Sequence, residues 1–141
     1  MPVFRKYLTA TVAAGCLALT PLLAHAADYT VGLSVATLAN PFFQGMTRGV
    51  KDGIAQYPDL HLINTSANGD ANTQTNQVTD LINQHVAALI LNPINADAIV
   101  PIVKEANKKG IPVFTLDRGA ACGSCQVNFL ETDNVQLGKE G

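Results

Sequence analysis

Four short stretches hold the side chains with the most chemistry to offer: Asn40-Pro41-Phe42-Phe43, Asn64, Asn92-Pro93 and Asp117-Arg118. They supply amides, one carboxylate, one guanidinium and two adjacent aromatic rings. An ionised carboxylate only accepts hydrogen bonds, a guanidinium only donates them, and an amide does both. Hydroxyls also do both, so this set suits a neutral polyhydroxylated ligand. The apolar C–H face of a sugar ring can lie on Phe42 or Phe43 while its hydroxyls meet Asp117, Arg118, Asn40 and Asn92. Charge-assisted hydrogen bonds of this kind contribute about 1.5–3 kcal/mol each. Neither common glycine-rich phosphate loop is present. No His or Ser in these stretches pairs as base and nucleophile, so neither catalysis nor a cofactor is expected.

Each signal also has a plain structural reading. Two Phe residues at a helix start usually belong to a core, and Phe43 shares an apolar stripe with Met46, which leaves Phe42 the freer ring. Asn-Pro after a strand is ordinary turn chemistry, and Asp-Arg is a common surface ion pair. Their shared placement raises the functional reading, and that placement depends on the elements around them.

Strands and helices alternate from Asp28 onward. Apolar runs predict strands over 29–35, 60–64, 87–92, 111–116 and 127–130. Between them, Phe43, Met46, Val50 and Ile54 recur at helical spacing and predict a helix over 42–57. Asn40 caps that helix and Pro41 suits its first turn. A polar loop over 65–72 precedes a second helix over 73–85, with Val78, Leu81, Ile82 and His85 on one side. A third helix, capped by Asn95 or Asp97, carries Ile99, Ile102, Val103 and Ala106 and closes at Lys108-Lys109-Gly110. Strands joined by helices imply an α/β fold, a doubly wound parallel sheet covered on both faces. In such sheets ligands sit beyond the carboxyl ends of the strands, where the strand order reverses. All four stretches fall at strand ends.

The first 26 residues read as a signal peptide. Arg5 and Lys6 begin it, an apolar stretch over 8–23 follows, and Ala24-His25-Ala26 offers small residues for cleavage. The run is too short, and too interrupted at Pro21, for a membrane span. Cys16 is a lipidation candidate, although the apolar run continues beyond it. The mature chain would start near Ala27 in a disulfide-permissive compartment. The 141 residues carry a net charge of −2 with two of the nine basic residues in the leader. A mildly acidic chain with no basic cluster is a poor match for nucleic acid. Cys122-Gly123-Ser124-Cys125 has the spacing of a redox pair, but a strand and not a helix follows it. A zinc site needs more ligands, and His61 and His85 are remote in sequence. A small disulfide worth about 2 kcal/mol is the simplest reading. A thiol–disulfide enzyme on a flavodoxin-like sheet, using Cys122 and Cys125, is the competing class.

The residues resemble the amino-terminal lobe of a ribose-type periplasmic sugar-binding protein, the receptor of an ATP-driven importer. The matching stretches are Thr37-Leu38-Ala39-Asn40-Pro41-Phe42-Phe43, Leu89-Ile90-Leu91-Asn92-Pro93, Ile111-Pro112-Val113-Phe114-Thr115-Leu116-Asp117-Arg118 and Thr132-Asp133-Asn134. The resemblance implies that Asn40, Asp117 and Arg118 hydrogen-bond a monosaccharide, that Phe42 and Phe43 stack on it, and that Asn92 also contacts it. It implies a monomeric receptor that delivers sugar to a membrane permease. Residues 27–127 would form the lobe, and 128–141 would cross a hinge into a second lobe of which only the start is present. A ligand-sensing half of a lactose-repressor-like regulator shares this lobe fold, but an export leader and the lack of a preceding helix-turn-helix argue against it.

Overall fold

The structure is a computed structural model that describes residues 28–131 and Lys139. The expected leader and its cleavage site, Cys16, the Thr132-Asp133-Asn134 match and the expected helix after it lie outside the described residues. Five parallel strands form one sheet: β1 (Tyr29–Val35), β2 (Leu60–Ser66), β3 (Ala88–Leu91), β4 (Val113–Leu116) and β5 (Val127–Leu130). Their spatial order is β2-β1-β3-β4-β5. Helices α1 (Pro41–Ile54), α2 (Ala71–Asn83) and α3 (Val100–Lys108) connect the first four strands. The order reverses between β1 and β3, so the carboxyl ends of those strands flank the topological switch point.

Strand pleating sorts the faces. Gly32 and Ser34 of β1 turn toward α2, in register with Leu89 and Leu91 of β3. Val113 and Thr115 of β4 continue that face. It is sealed by Val78, Leu81, Ile82 of α2 and Ile102, Val103, Ala106 of α3, all buried. Helix α1 covers the other face. Gly32 is placed by contact: a methyl group there would stand 2.9 Å from Leu81 Cδ1 and 3.1 Å from Leu89 Cδ2. Lacking a side chain, it lets α2 settle onto β1.

Element ends differ from the sequence expectations in instructive ways. β2 runs on through Thr65 and Ser66, which pair with Ser34 and Val35. As an edge strand it is only partly buried, and Thr65 finds a partner there, its hydroxyl donating to Leu33 O at 3.2 Å. α2 begins two residues early because Asp70 caps it, its carboxylate accepting the Thr73 N–H at 2.5 Å. Neither Asn95 nor Asp97 caps α3 itself. Asn95 Oδ1 accepts from the N–H groups of Asp97 and Ala98 and so caps the turn that feeds the helix.

Candidate functional site

The site is built on two strand exits and one helix start. Asn40 caps α1, its Oδ1 accepting the Phe42 N–H at 2.9 Å, and Pro41 opens the helix. Capping satisfies an orphan donor and sets the direction in which the next two rings leave the backbone. Phe42 and Phe43 meet edge to face with centroids 5.3 Å apart. Phe43 is 7% exposed and Phe42 54%. Phe43 therefore belongs to the interior, while Phe42 offers a free ring.

At the end of β4, Asp117 has a left-handed backbone with φ +63°. The Arg118 N–H donates to Leu116 O at 2.7 Å, closing a tight three-residue turn around Asp117. Such a conformation is costly for a residue other than glycine and persists where surrounding contacts hold it. Those contacts are present. The Asp117 N–H donates to Leu130 O at 2.9 Å. Its Oδ2 accepts from Asn92 Nδ2 at 3.3 Å and lies 3.7 Å from Arg118 Nε. The Arg118 guanidinium carbon stands 5.6 Å from the centroid of Phe43, a cation–π distance that ties β4 to α1.

A cleft of about 570 Å³ opens between these elements. Pro41, Phe42 and Met46 line one side, and Leu116, Asp117 and Leu130 the other. The volume lies in the range of small-molecule sites, and a few polar groups in a mostly apolar wall is their usual make-up. The structure brings Phe42 and Asp117 to one cleft, with Arg118 and Phe43 beside them and Asn40 at its helix end.

Asn92 takes a different place. It is fully buried, and its amide is engaged within the protein. Nδ2 donates to Leu116 O at 2.9 Å as well as to Asp117, and Oδ1 accepts the Ala36 N–H at 3.4 Å. It thus links the exits of β1, β3 and β4. Asn64 lies within the β1–β2 ladder and lines a separate groove with Thr47 and Lys51 of α1.

Sequence reasoning passed over Gln74 and Ser34. Both are buried, and Gln74 holds the backbone beyond β3. A signal existed: Gln74 sits four and seven residues before Val78 and Leu81, on the buried stripe of α2, where an amide needs internal partners.

Cys122 and Cys125 form a disulfide, Cα–Cα 5.4 Å, in the loop before β5. β5 follows, so the pair does not sit at a helix start, where a redox thiol is activated. Asn107 anchors this loop through both hydrogen bonds of Gln126, 2.8 and 3.0 Å. His61 is exposed beside Asp28, and His85, also exposed, lies beyond the end of α2 with a left-handed backbone. Among the described residues no three His, Cys, Asp or Glu side chains gather to hold a metal.

Comparisons with known proteins agree with this architecture. The family model described as a periplasmic binding protein domain matches residues 31–141. The ribose import binding protein of Bacillus subtilis is 40% identical over 112 residues, which is 79% of this chain and 36% of that protein. A solved ABC transporter solute binding protein from Bacillus halodurans, with bound myo-inositol, is 31% identical with a TM-score of 0.64, covering 69% of this chain and 33% of that one. A periplasmic ribose ABC transporter structure from Conexibacter woesei is 28% identical with a TM-score of 0.72, covering 82% and 38%. The chain spans well under half the length of these relatives. With the family model matching well over half of its residues, the chain belongs to the periplasmic binding protein domain family.

Proposed function

We propose that the chain supplies one wall of the periplasmic substrate-binding component of an ATP-driven sugar importer, and that its ligand is a monosaccharide or a cyclitol of similar size. The convergence of Phe42 and Asp117 on one cleft carries this reading. Phe42 presents an exposed ring to the C–H face of the ligand. Asp117 accepts from its hydroxyls, and Arg118, half exposed, donates to them. Asn40 holds the two rings in place through its cap. Asn92, buried behind Asp117, contributes by fixing the carboxylate. The relatives named above bind ribose or myo-inositol by their own descriptions, which supports the ligand class.

On this reading residues 1–26 direct export to the periplasm and residues 27–127 form the sugar-facing lobe. Residues 128–141 lead toward a second lobe, and the assembled receptor acts as a monomer that hands its sugar to a membrane permease. It binds and releases its ligand without chemistry. A single lobe leaves one side of the ligand in water, where polar contacts exchange with solvent and gain little net free energy. The 141-residue chain therefore binds weakly. The test is calorimetry together with ¹H–¹⁵N NMR titration against ribose, xylose, glucose and myo-inositol. Saturable, millimolar shifts at the amides of Asn40, Phe42, Phe43, Asp117 and Arg118 are expected. Shifts elsewhere, or none, overturn the sugar reading, and tight stoichiometric heat overturns the single-wall account.

A further inference from the structure

Beyond β3 the chain leaves the sheet through Asn92, Pro93 and Ile94, and a side chain takes over the role of a strand there. Gln74 of α2 donates from Nε2 to Asn92 O at 2.9 Å and accepts the Ile94 N–H on Oε1 at 2.9 Å. Its amide thus pairs with one carbonyl and one N–H two residues apart, as a neighbouring peptide unit does. Nε2 also approaches Ser34 Oγ of β1 at 3.4 Å. Pro93 has no N–H to give, so the two groups that flank it are the ones available. Gln74 is 1% exposed and does not line the cleft.

We infer that Gln74 is a positioning residue for ligand binding, holding Asn92 so that Asn92 can hold Asp117. This rests on the sugar reading above. The route is short and complete. Gln74 fixes the Asn92 carbonyl, and the Asn92 N–H donates to Ser34 O at 2.8 Å. With its backbone held on both sides, Asn92 extends its amide across the end of β4 to Leu116 O and Asp117 Oδ2. Asp117 is left-handed, and its conformation needs support. A purely packing role would be filled as well by a leucine. An amide buried this deeply is tolerated only when its hydrogen bonds are made, and here the two shortest, both 2.9 Å, go to the exit of β3. Buried polar networks select one arrangement over its near alternatives.

The test uses the whole chain with Gln74→Leu, Gln74→Glu and Asp117→Asn, singly and as Gln74→Leu/Asp117→Asn. Gln74→Glu keeps the acceptor for Ile94 but removes the donor to Asn92. Two readouts are taken at a temperature where every variant is folded. The first is the half-saturating concentration of the best-bound sugar by NMR. Both Gln74 variants are expected to raise it about fivefold or more, and the double variant to bind no worse than Asp117→Asn alone. Such non-additivity marks residues that act through one network. The second needs no sugar: the Asn92 side-chain amide signals and the Asp117 backbone signal shift, and the Asn92 amide loses its protection from exchange. Unchanged affinity, or losses that simply add, overturn the inference. Should Gln74→Leu fail to fold, Gln74→Glu carries both readouts. A parent chain that takes up no sugar refutes the sugar reading, and unmoved Asn92 and Asp117 signals then refute the brace separately.

Discussion

Replacing Asn92 by Leu keeps the side chain's size and removes its hydrogen bonding. In the folded protein three interactions disappear: Nδ2 with Leu116 O at 2.9 Å, Nδ2 with Asp117 Oδ2 at 3.3 Å, and the Ala36 N–H with Oδ1 at 3.4 Å. Asp117 can turn to solvent. The Leu116 carbonyl keeps the Arg118 N–H at 2.7 Å, so the Ala36 N–H is the group left without a partner. A buried group left unpaired costs about 1–3 kcal/mol. With one such group, and two further interactions lost whose partners stay satisfied, Asn92→Leu should destabilise the chain by about 1–3 kcal/mol. That is a large part of the roughly 5–15 kcal/mol by which domains are stable. Asn92→Asp sharpens the argument. It keeps an acceptor for Ala36 but sets a carboxylate oxygen against the Leu116 carbonyl and the Asp117 carboxylate. Burial and like charge both raise the pKa of the introduced acid in the folded state. Stability of Asn92→Asp should therefore rise as pH falls through that raised value, relative to the parent, and the gain should level off near the unfolded value of about 3.9. Urea unfolding at several pH values measures both effects. A loss below about 0.5 kcal/mol for Asn92→Leu, or an Asn92→Asp variant with the parent's pH dependence, refutes the idea that this amide joins the strand exits.

Other outcomes follow from the same geometry. Phe42→Ala should weaken sugar binding while changing stability by no more than about 0.5 kcal/mol, as for an exposed site. Phe43→Ala, at a buried ring, should cost about 3–5 kcal/mol, and urea melts that fail to separate the two would contradict their assigned roles. Asp70 is held below its ordinary pKa of 3.8, first by the Thr73 backbone N–H it accepts and then by the Thr73 hydroxyl. Its contribution is complete above that ordinary value and is lost as pH falls through the lower, folded one. The parent should accordingly lose more stability than Asp70→Ala on acidification from about pH 5 to pH 2; parallel acid limbs would speak against the cap. Thiol titration of the denatured chain after export should find Cys122 and Cys125 unreactive, and reducing them should cost no more than about 2 kcal/mol. Two reactive thiols would remove the disulfide from the account.

The order of elements was legible because each strand is an apolar run and each helix an apolar stripe, and because Asn40 and Gly110 punctuate the chain as caps and turns do. The meeting of Phe42 with Asp117, 75 positions apart in sequence, followed from the rule that parallel strands present their carboxyl ends to one side. What the letters did not show was direction. Asn92 has the composition of a ligand contact, and only the crossing of β4 beside it turns its amide inward. Gln74 looks solvated in a window containing Asn72, Thr73, Thr75 and Asn76. Its burial depends on α2 lying over the switch point, which is a tertiary fact. The extension of β2 through Thr65 and Ser66 escaped for a related reason: polar residues read as loop unless the strand is known to lie at an edge.

The missing side chain of Gly32 has a reach well beyond its own strand. Leu81 rests directly on that glycine, and Gln74 lies seven residues earlier on the same helix, about 10 Å up its axis. Helix α2 thus acts as a lever whose heel is seated in the notch at Gly32 and whose toe carries the amide that grips Asn92. Filling the notch, as in Gly32→Ala, meets the tips of Leu81 and Leu89 at 2.9 and 3.1 Å, so these leucines must turn aside, and only what their rotation leaves unrelieved passes along α2 to the rim where Gln74 holds Asn92.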